Sequence, residues 1–118
     1  MRITPETTAE QMLAHIKTPN KHNLYNSEAR FQRAVEGYML QLGWISYHTW
    51  DSRRSHEGFP DLTAWRGDQL IFAELKLGPR SKLSLAQWST LAALSLTPNE
   101  VYLWLPWEDE ILDVLSLV

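Results

Sequence analysis

The sequence contains no cysteine in its 118 residues. This absence excludes disulfide bonds, thiolate zinc sites and cysteine nucleophiles, and it favours a protein of the reducing cytosol. Long apolar runs are also missing, since no stretch of about 18 hydrophobic residues is present to form a membrane-spanning helix. Residues 1–6 lack the apolar stretch of a signal peptide. We therefore expect a cytoplasmic protein without membrane contact.

The protein also lacks a strong positive charge: its net charge is -3. This balance argues against a protein that coats nucleic acid without specificity. The charges are unevenly distributed: residues 53–82 hold six basic and four acidic residues, whereas residues 100–113 hold five acids and no base. One part of the chain could therefore face a polyanion. The six tryptophans indicate core filling and dimer contacts first, and base stacking second.

Hydrophobic periodicity predicts one α/β domain with the element order α-α-β-β-β-α-β-α. The hairpin followed by a β-α-β crossover predicts a mixed β-sheet flanked by helices. A capping box is predicted at Thr7 and Glu10 for the first helix, and another at Ser84 and Gln87 for the third. Residues 1–26 are predicted to be a helical appendage and linker, and residues 27–118 the main domain. The predicted strands cover residues 44–50, 61–66, 69–77 and 101–105.

The segment GFPDLTAWRGDQLIFAELK, residues 58–76, places charged residues within apolar strands. Side chains alternate between the faces of a strand, so Glu74 and Lys76 project from the same face. A tight turn at Gly67–Asp68 would place Asp61 opposite Glu74 in the hairpin. Directly opposed residues have Cβ atoms about 4.5–5.5 Å apart. The sequence therefore predicts two neighbouring carboxylates beside an ammonium group.

Opposed carboxylates destabilise a hairpin unless a cation lies between them. A divalent metal ion reverses the sign of that interaction, since hard cations prefer carboxylate oxygens. Lys76 close by could orient a nucleophile or stabilise negative charge on a phosphate. Two alternatives stay open on the pattern alone. Lys76 could form an ion pair with Glu74 or Asp61 on a solvated sheet face, or Asp61 could be a turn residue after Pro60.

The residues Gly58-Phe59-Pro60-Asp61 followed by Glu74-Leu75-Lys76 resemble the signature of PD-(D/E)XK nucleases. Together with SEARFQRAVEGYMLQLGWISYHTWDSRRS, LSLAQW and VYLWLP, they make residues 27–106 similar to the VRR-NUC (virus-type replication-repair nuclease) domain. The similarity is to its stand-alone branch, which is mostly viral and bacterial. This resemblance implies a restriction-endonuclease-like core in a protein of bacteria or of phage-infected cells.

The same resemblance implies a DNA endonuclease that hydrolyses phosphodiester bonds with Mg²⁺ or Mn²⁺ and without an organic cofactor. It further implies selectivity for branched DNA, as in Holliday junction resolvases, in DNA replication, repair or recombination. Stand-alone members are similar in fold to junction resolvases, which implies a homodimer with two symmetric sites.

By position, the resemblance implies that Asp61 and Glu74 are metal ligands and that Lys76 is the catalytic lysine. The Leu75 carbonyl is implied as a further ligand. Glu28 matches the family glutamate at the start of the first core helix, which makes it another expected metal ligand. The alternative for Glu28 is a glutamate in the first helical turn that the helix dipole favours.

Gln87 matches the family glutamine that follows the lysine strand, and we expect it near the metal site in a supporting role. Its predicted capping box competes for the same side chain. Arg53 and Arg54 on one side of the site, and Arg80 and Lys82 on the other, are expected to contact DNA phosphates. The alternative for these four residues is a solvated loop.

Two other functions stay open. The first is a DNA-binding module of nuclease fold whose metal site is idle. The second is a protein-interaction domain, which the acidic total and the tryptophans favour. His48, in the first predicted strand, is expected to be structural or to face DNA rather than to be catalytic.

Overall fold

The computed structural model describes residues 1–19, 25–50 and 56–117. Within these ranges, five strands form one sheet in the order β1-β5-β4-β3-β2. β4 and β5 are parallel, and the other neighbouring pairs are antiparallel. The predicted mixed sheet is therefore confirmed. The elements are β1 (Arg2–Ile3), α1 (Ala9–Ile16), α2 (Glu28–Gln41), β2 (Ile45–His48), β3 (Leu62–Arg66), β4 (Gln69–Leu75), α3 (Leu85–Ser95), β5 (Glu100–Trp104) and α4 (Glu110–Ser116).

Helices cover both faces of the sheet, so that β4 and β5 are buried on both sides. One face packs against α2 and α4, and the opposite face packs against α1 and α3. None of the helices in the described ranges has the length and apolar character needed to cross a bilayer. The core against α2 and α4 includes Phe31, Val35, Met39, Leu62, Ala64, Ile71, Ala73, Leu75, Trp104, Ile111 and Leu115. The opposite core includes Ile3, Met12, Ile16, Phe72, Leu91, Val101 and Leu103.

The first residues of the chain belong to this sheet and core. β1 pairs with β5, and Met12 and Ile16 of α1 are completely buried. The sequence predicts an appendage over residues 1–26, whereas β1 and α1 complete one layer of the fold. A strand of two residues has no hydrophobic period, which is why the pattern did not reveal β1.

The capping box of α1 lies one residue later than predicted. Thr8 caps the helix, and its partner is Gln11. Thr7 instead accepts a hydrogen bond of 2.9 Å from the Thr4 N–H, in the preceding turn. The sequence was ambiguous here because both threonines are followed, three residues later, by a residue that can close a capping box.

The β3–β4 hairpin has the predicted register. Gly67 has a φ of 60°, which suits the first central position of a type II′ turn. Arg66 pairs with Gln69, and Leu62 pairs with Ala73. Continuing this ladder by one residue places Asp61 opposite Glu74. The turn therefore aligns Asp61 with Glu74 through the hairpin register, independently of how the helices pack on the sheet.

Gly58 lies against the backbone of α3, just before β3. Its φ is 80°, and a Cβ at this position would lie 2.3 Å from the carbonyl carbon and oxygen of Ala86. The same Cβ would lie 2.6 Å from the backbone nitrogen of Gln87. The loop that leads to Asp61 can approach the first turn of α3 this closely because residue 58 has no side chain.

Gly58→Ala is expected to lower the free energy of unfolding by about 2–4 kcal/mol, since it adds a steric clash to left-handed backbone strain. Gly67→Ala is the matched control. Gly67 also has a positive φ, but nothing lies within 4 Å of its added Cβ, so we expect a loss of about 1 kcal/mol. Urea denaturation followed by circular dichroism measures both values. Equal losses would contradict a close contact at Gly58.

Candidate active site

Three charged residues of segment 58–76, Asp61, Glu74 and Lys76, meet at the end of β4, between the two helical layers. Glu74 is 2% exposed and Lys76 is 6% exposed. Asp61 Oδ2 accepts a hydrogen bond of 2.8 Å from the Leu75 N–H, which fixes this carboxylate against β4. Lys76 Nζ lies 3.7 Å from Glu74 Oε1. The ion pair between Lys76 and Glu74, predicted as one alternative, is therefore present. That alternative placed the pair on a solvated face of the sheet, and this part of the prediction is wrong, because α3 covers the sheet here.

Gln87 connects α3 to Glu74 of β4 and to Lys76, which follows this strand directly. Its Oε1 accepts a hydrogen bond from Lys76 Nζ at 3.1 Å, and its Nε2 donates to Glu74 Oε1 at 3.3 Å. The same Oε1 accepts from the Ser84 N–H at 3.0 Å, within the capping box. The capping box therefore does not prevent Gln87 from reaching Glu74 and Lys76, and its supporting role at a metal site stays a prediction.

Glu74 has a strongly perturbed carboxyl group. Burial and then the Asp61 charge raise the pKa of Glu74 from 4.5 to about 9, and the Lys76 ammonium offsets only part of this shift. Glu74 Oε2 is buried without a hydrogen-bond partner among the residues that the structure describes. A proton on Glu74, or a cation between Glu74 and Asp61, would satisfy this oxygen.

Glu28 lies in the first turn of α2, at the same end of the sheet. It lines an open cleft of about 680 Å³ together with Asp61 and Leu75. Burial raises the pKa of Glu28, the Lys76 ammonium opposes this shift, and the Asp61 charge adds to it. Glu28 is therefore within electrostatic reach of the site.

Within the described ranges, no group of three or more His, Cys, Asp or Glu side chains is arranged so that it could hold a metal ion. The structure brings Asp61 and Glu74 together and leaves Glu28 at the cleft. The ligand roles of Glu28, Asp61, Glu74 and the Leu75 carbonyl stay predictions.

The residues predicted to contact phosphates are placed only in part. Arg80 and Lys82 are exposed in the segment after β4. Arg80 lines a second cleft, of about 720 Å³, which Glu28 also borders. Arg53 and Arg54 lie outside the described residues. Glu28 therefore borders both the cleft of Asp61 and the cleft of Arg80.

The cleft in front of Asp61 also contains residues that no sequence motif indicates as part of a site. Arg33 and Glu36 of α2 line it, as does Trp50 just after β2. Helical spacing could have indicated Glu36, which lies eight residues after Glu28 and hence on the same strip of α2. His48 lies in this cleft as well, with Nδ1 3.5 Å from Glu36 Oε2.

Glu74→Gln is expected to stabilise the metal-free protein increasingly as the pH rises from about 4.5 to about 9. In this window the unfolded chain has lost the Glu74 proton, whereas the folded chain, with the pKa of Glu74 raised to about 9, keeps it. Wild-type stability therefore falls as the pH rises, by at most about 1.4 kcal/mol per pH unit from this group. Glutamine removes this dependence.

Urea denaturation in EDTA, at about pH 5, 7 and 8.5, measures the difference between wild type and variant. Glu57→Gln is the matched control, because Glu57 is exposed. A stability difference between wild type and Glu74→Gln that does not change with pH would contradict the raised pKa.

Comparison with known proteins supports the fold. No protein-family model matches the sequence, and no curated protein matches it. Among solved structures, the chain is similar to Hjc, a Holliday junction resolvase from Archaeoglobus fulgidus, an archaeal hyperthermophile. The TM-score is 0.51 at 23% sequence identity, and the match covers 67% of this chain and 68% of that chain. The predicted α/β fold, with a mixed sheet flanked by helices, is thereby confirmed, and it is shared with a nuclease.

Proposed function

We propose that this chain is a divalent-metal-dependent deoxyribonuclease of the PD-(D/E)XK type, of the VRR-NUC group, that cuts branched DNA. The observation that carries the proposal is the buried Glu74 Oε2, which has no hydrogen-bond partner in the described part of the chain and lies beside Asp61. A buried carboxyl group next to a second, partly buried one does not stabilise a fold. A divalent cation would turn their repulsion into attraction.

The donor atoms suit a hard cation such as Mg²⁺ or Mn²⁺, which prefers oxygen ligands. Asp61, Glu74 and the Leu75 carbonyl would hold the ion. Glu28 is proposed as a further ligand from α2, although it does not form a group of three with the two acids in the described part of the structure. When bound, the ion would act as a Lewis acid on the phosphate and would lower the pKa of a water molecule.

Lys76 and Gln87 have distinct roles in this proposal. Lys76 is the catalytic residue, since its ammonium group lies at the carboxylates and can stabilise negative charge that develops on a phosphate oxygen. Gln87 is a positioning residue, because its hydrogen bonds with Lys76 and Glu74 orient both side chains. The products would carry a 5′-phosphate and a 3′-hydroxyl.

The basic residues outside the core would bind the DNA backbone. Arg80 and Lys82 are exposed in the segment that follows Lys76, and Arg80 lines a cleft that Glu28 also borders. Arg53 and Arg54 are proposed for the same role. A domain of 118 residues has little surface with which to hold a four-way junction. A second copy related by a two-fold axis would supply a second site for paired cuts.

Lys76→Met is expected to lower the rate of DNA cleavage by a factor on the order of 10² or more, because it removes the charge while keeping the length of the side chain. The measurement is cleavage of labelled four-way junction, flap and linear duplex DNA in Mg²⁺, Mn²⁺ or EDTA. Lys17→Met is the matched control, since Lys17 is exposed after α1 and lines neither of the two clefts that Glu28 borders. Circular dichroism checks that each variant folds.

The outcomes separate the three functions. Cleavage that needs metal and Lys76 supports the nuclease, and the preferred DNA defines its substrate. DNA binding without cleavage by the wild-type protein would contradict the nuclease and favour the idle DNA-binding module. If the protein neither binds nor cuts DNA, a protein-interaction domain is favoured.

Mn²⁺ is expected to stabilise the wild-type protein, by about 2.7 kcal/mol at 100 times its Kd, and to stabilise Asp61→Asn much less. The melting temperature is measured against Mn²⁺ concentration. Asp68→Asn is the matched control, because Asp68 is exposed in the hairpin turn. Equal stabilisation of Asp61→Asn and wild type would contradict a metal site at Asp61.

A further inference from the structure

Trp50 is an exposed indole in the cleft in front of Asp61. Its side chain is 77% exposed, although tryptophan is on average highly buried. His48 supports it, with ring centroids 4.0 Å apart and an angle of 52° between the ring planes. No second ring contact to Trp50 occurs within the described ranges. The indole is therefore supported on one side and accessible to a ligand.

Hydrogen bonds attach the backbone next to Trp50 to the segment that carries Asp61. The Thr49 N–H donates to the Asp61 carbonyl at 2.9 Å. The Thr49 hydroxyl donates to the Pro60 carbonyl at 2.8 Å. Trp50 is the next residue, and it lines the same cleft as Asp61. A group stacked on the indole would therefore lie beside the candidate active site.

The charges of this cleft favour an uncharged ring over a phosphate at Trp50. Glu28, Glu36 and Asp61 line it, whereas Arg33 is the single arginine or lysine among its described lining residues. Gln32 Nε2 donates to Glu36 Oε1 at 3.1 Å, which orients this carboxylate as an acceptor. The volume of about 680 Å³ lies within the usual range of ligand pockets. A nucleobase, which has a flat ring and amino donors, fits these features better than a phosphate does.

We propose that Trp50 stacks on an unpaired nucleobase of the DNA substrate, next to the bond that is cut. This inference rests on the proposed nuclease function and narrows its substrate. The bases of a continuous duplex are already stacked on their neighbours, whereas an unpaired base offers its ring face to an aromatic side chain. Trp50 thus gives preference for DNA with an unpaired nucleotide over fully paired DNA.

The test measures binding in EDTA, so that cleavage plays no part. Fluorescence anisotropy compares a duplex that contains one bulged nucleotide with a fully paired duplex of the same length. Trp50→Ala is expected to weaken binding of the bulged DNA by roughly 5- to 100-fold and to leave the paired duplex within about twofold. Trp50→Phe keeps an aromatic ring and is expected to restore most of the affinity.

Trp65→Ala is the matched control. Trp65 is also an exposed tryptophan, at 38%, and it lies on β3. Its neighbour Ala64 packs into the core against α2, so Trp65 projects from the opposite face of the sheet. The control variant is expected to bind both DNAs as the wild type does.

A second measurement uses 2-aminopurine as the bulged base. Its fluorescence is expected to fall when wild-type protein binds and to change little with Trp50→Ala. The proposal is overturned if wild type binds both DNAs equally, if Trp50→Ala weakens both alike, or if the 2-aminopurine signal does not depend on Trp50. These results would contradict the stacking role of Trp50 but not the proposed nuclease activity. The nuclease proposal is contradicted instead if DNA binding depends on Trp50 but the DNA is not cleaved in Mg²⁺ or Mn²⁺.

Discussion

The two-residue turn at Gly67–Asp68 sets the register of β3 against β4, and the candidate site depends on that register. It places Asp61 opposite Glu74, and the hydrogen bond between Asp61 and the Leu75 N–H holds the alignment. A slip of one residue would exchange the faces of one strand relative to the other and separate the two acids. The apolar residues that β3 and β4 bury beside these acids oppose such a slip, because it would expose them.

Burial of Glu74 is the main destabilising feature of this arrangement. β4 lies between two helical layers, so the Glu74 carboxyl group is removed from water on a strand whose residues from Ile71 to Leu75 are all buried. Lys76 and Gln87 contact one of its oxygens, whereas the other has no partner among the described residues. The surrounding core offsets the cost of this oxygen. A strongly perturbed carboxyl group beside a cleft is typical of functional sites.

Local structural features at this site also have a second role. The capping box of α3 provides hydrogen-bond acceptors for backbone N–H groups at the start of the helix. It also holds Gln87 against Lys76 and Glu74. Gly58 provides a left-handed backbone position, and it also lets the loop before β3 approach α3. The helix start, the loop and the two strands are therefore coupled at one place. A change at Gly58 is transmitted to Gln87 through direct backbone contact.

Features that depend on neighbouring residues could be predicted from the amino-acid sequence. Helical period and caps predicted α2 and α3, and the Gly67–Asp68 turn predicted the hairpin and the pairing of Asp61 with Glu74. The remaining features depend on tertiary contacts. β1 has two residues and exists through its pairing with β5, and the cleft of Trp50 forms where the end of β2 meets α2. Burial of Glu74 depends on the packing of α3 over the sheet. These contacts join residues far apart in the chain, and local periodicity carries no information about them.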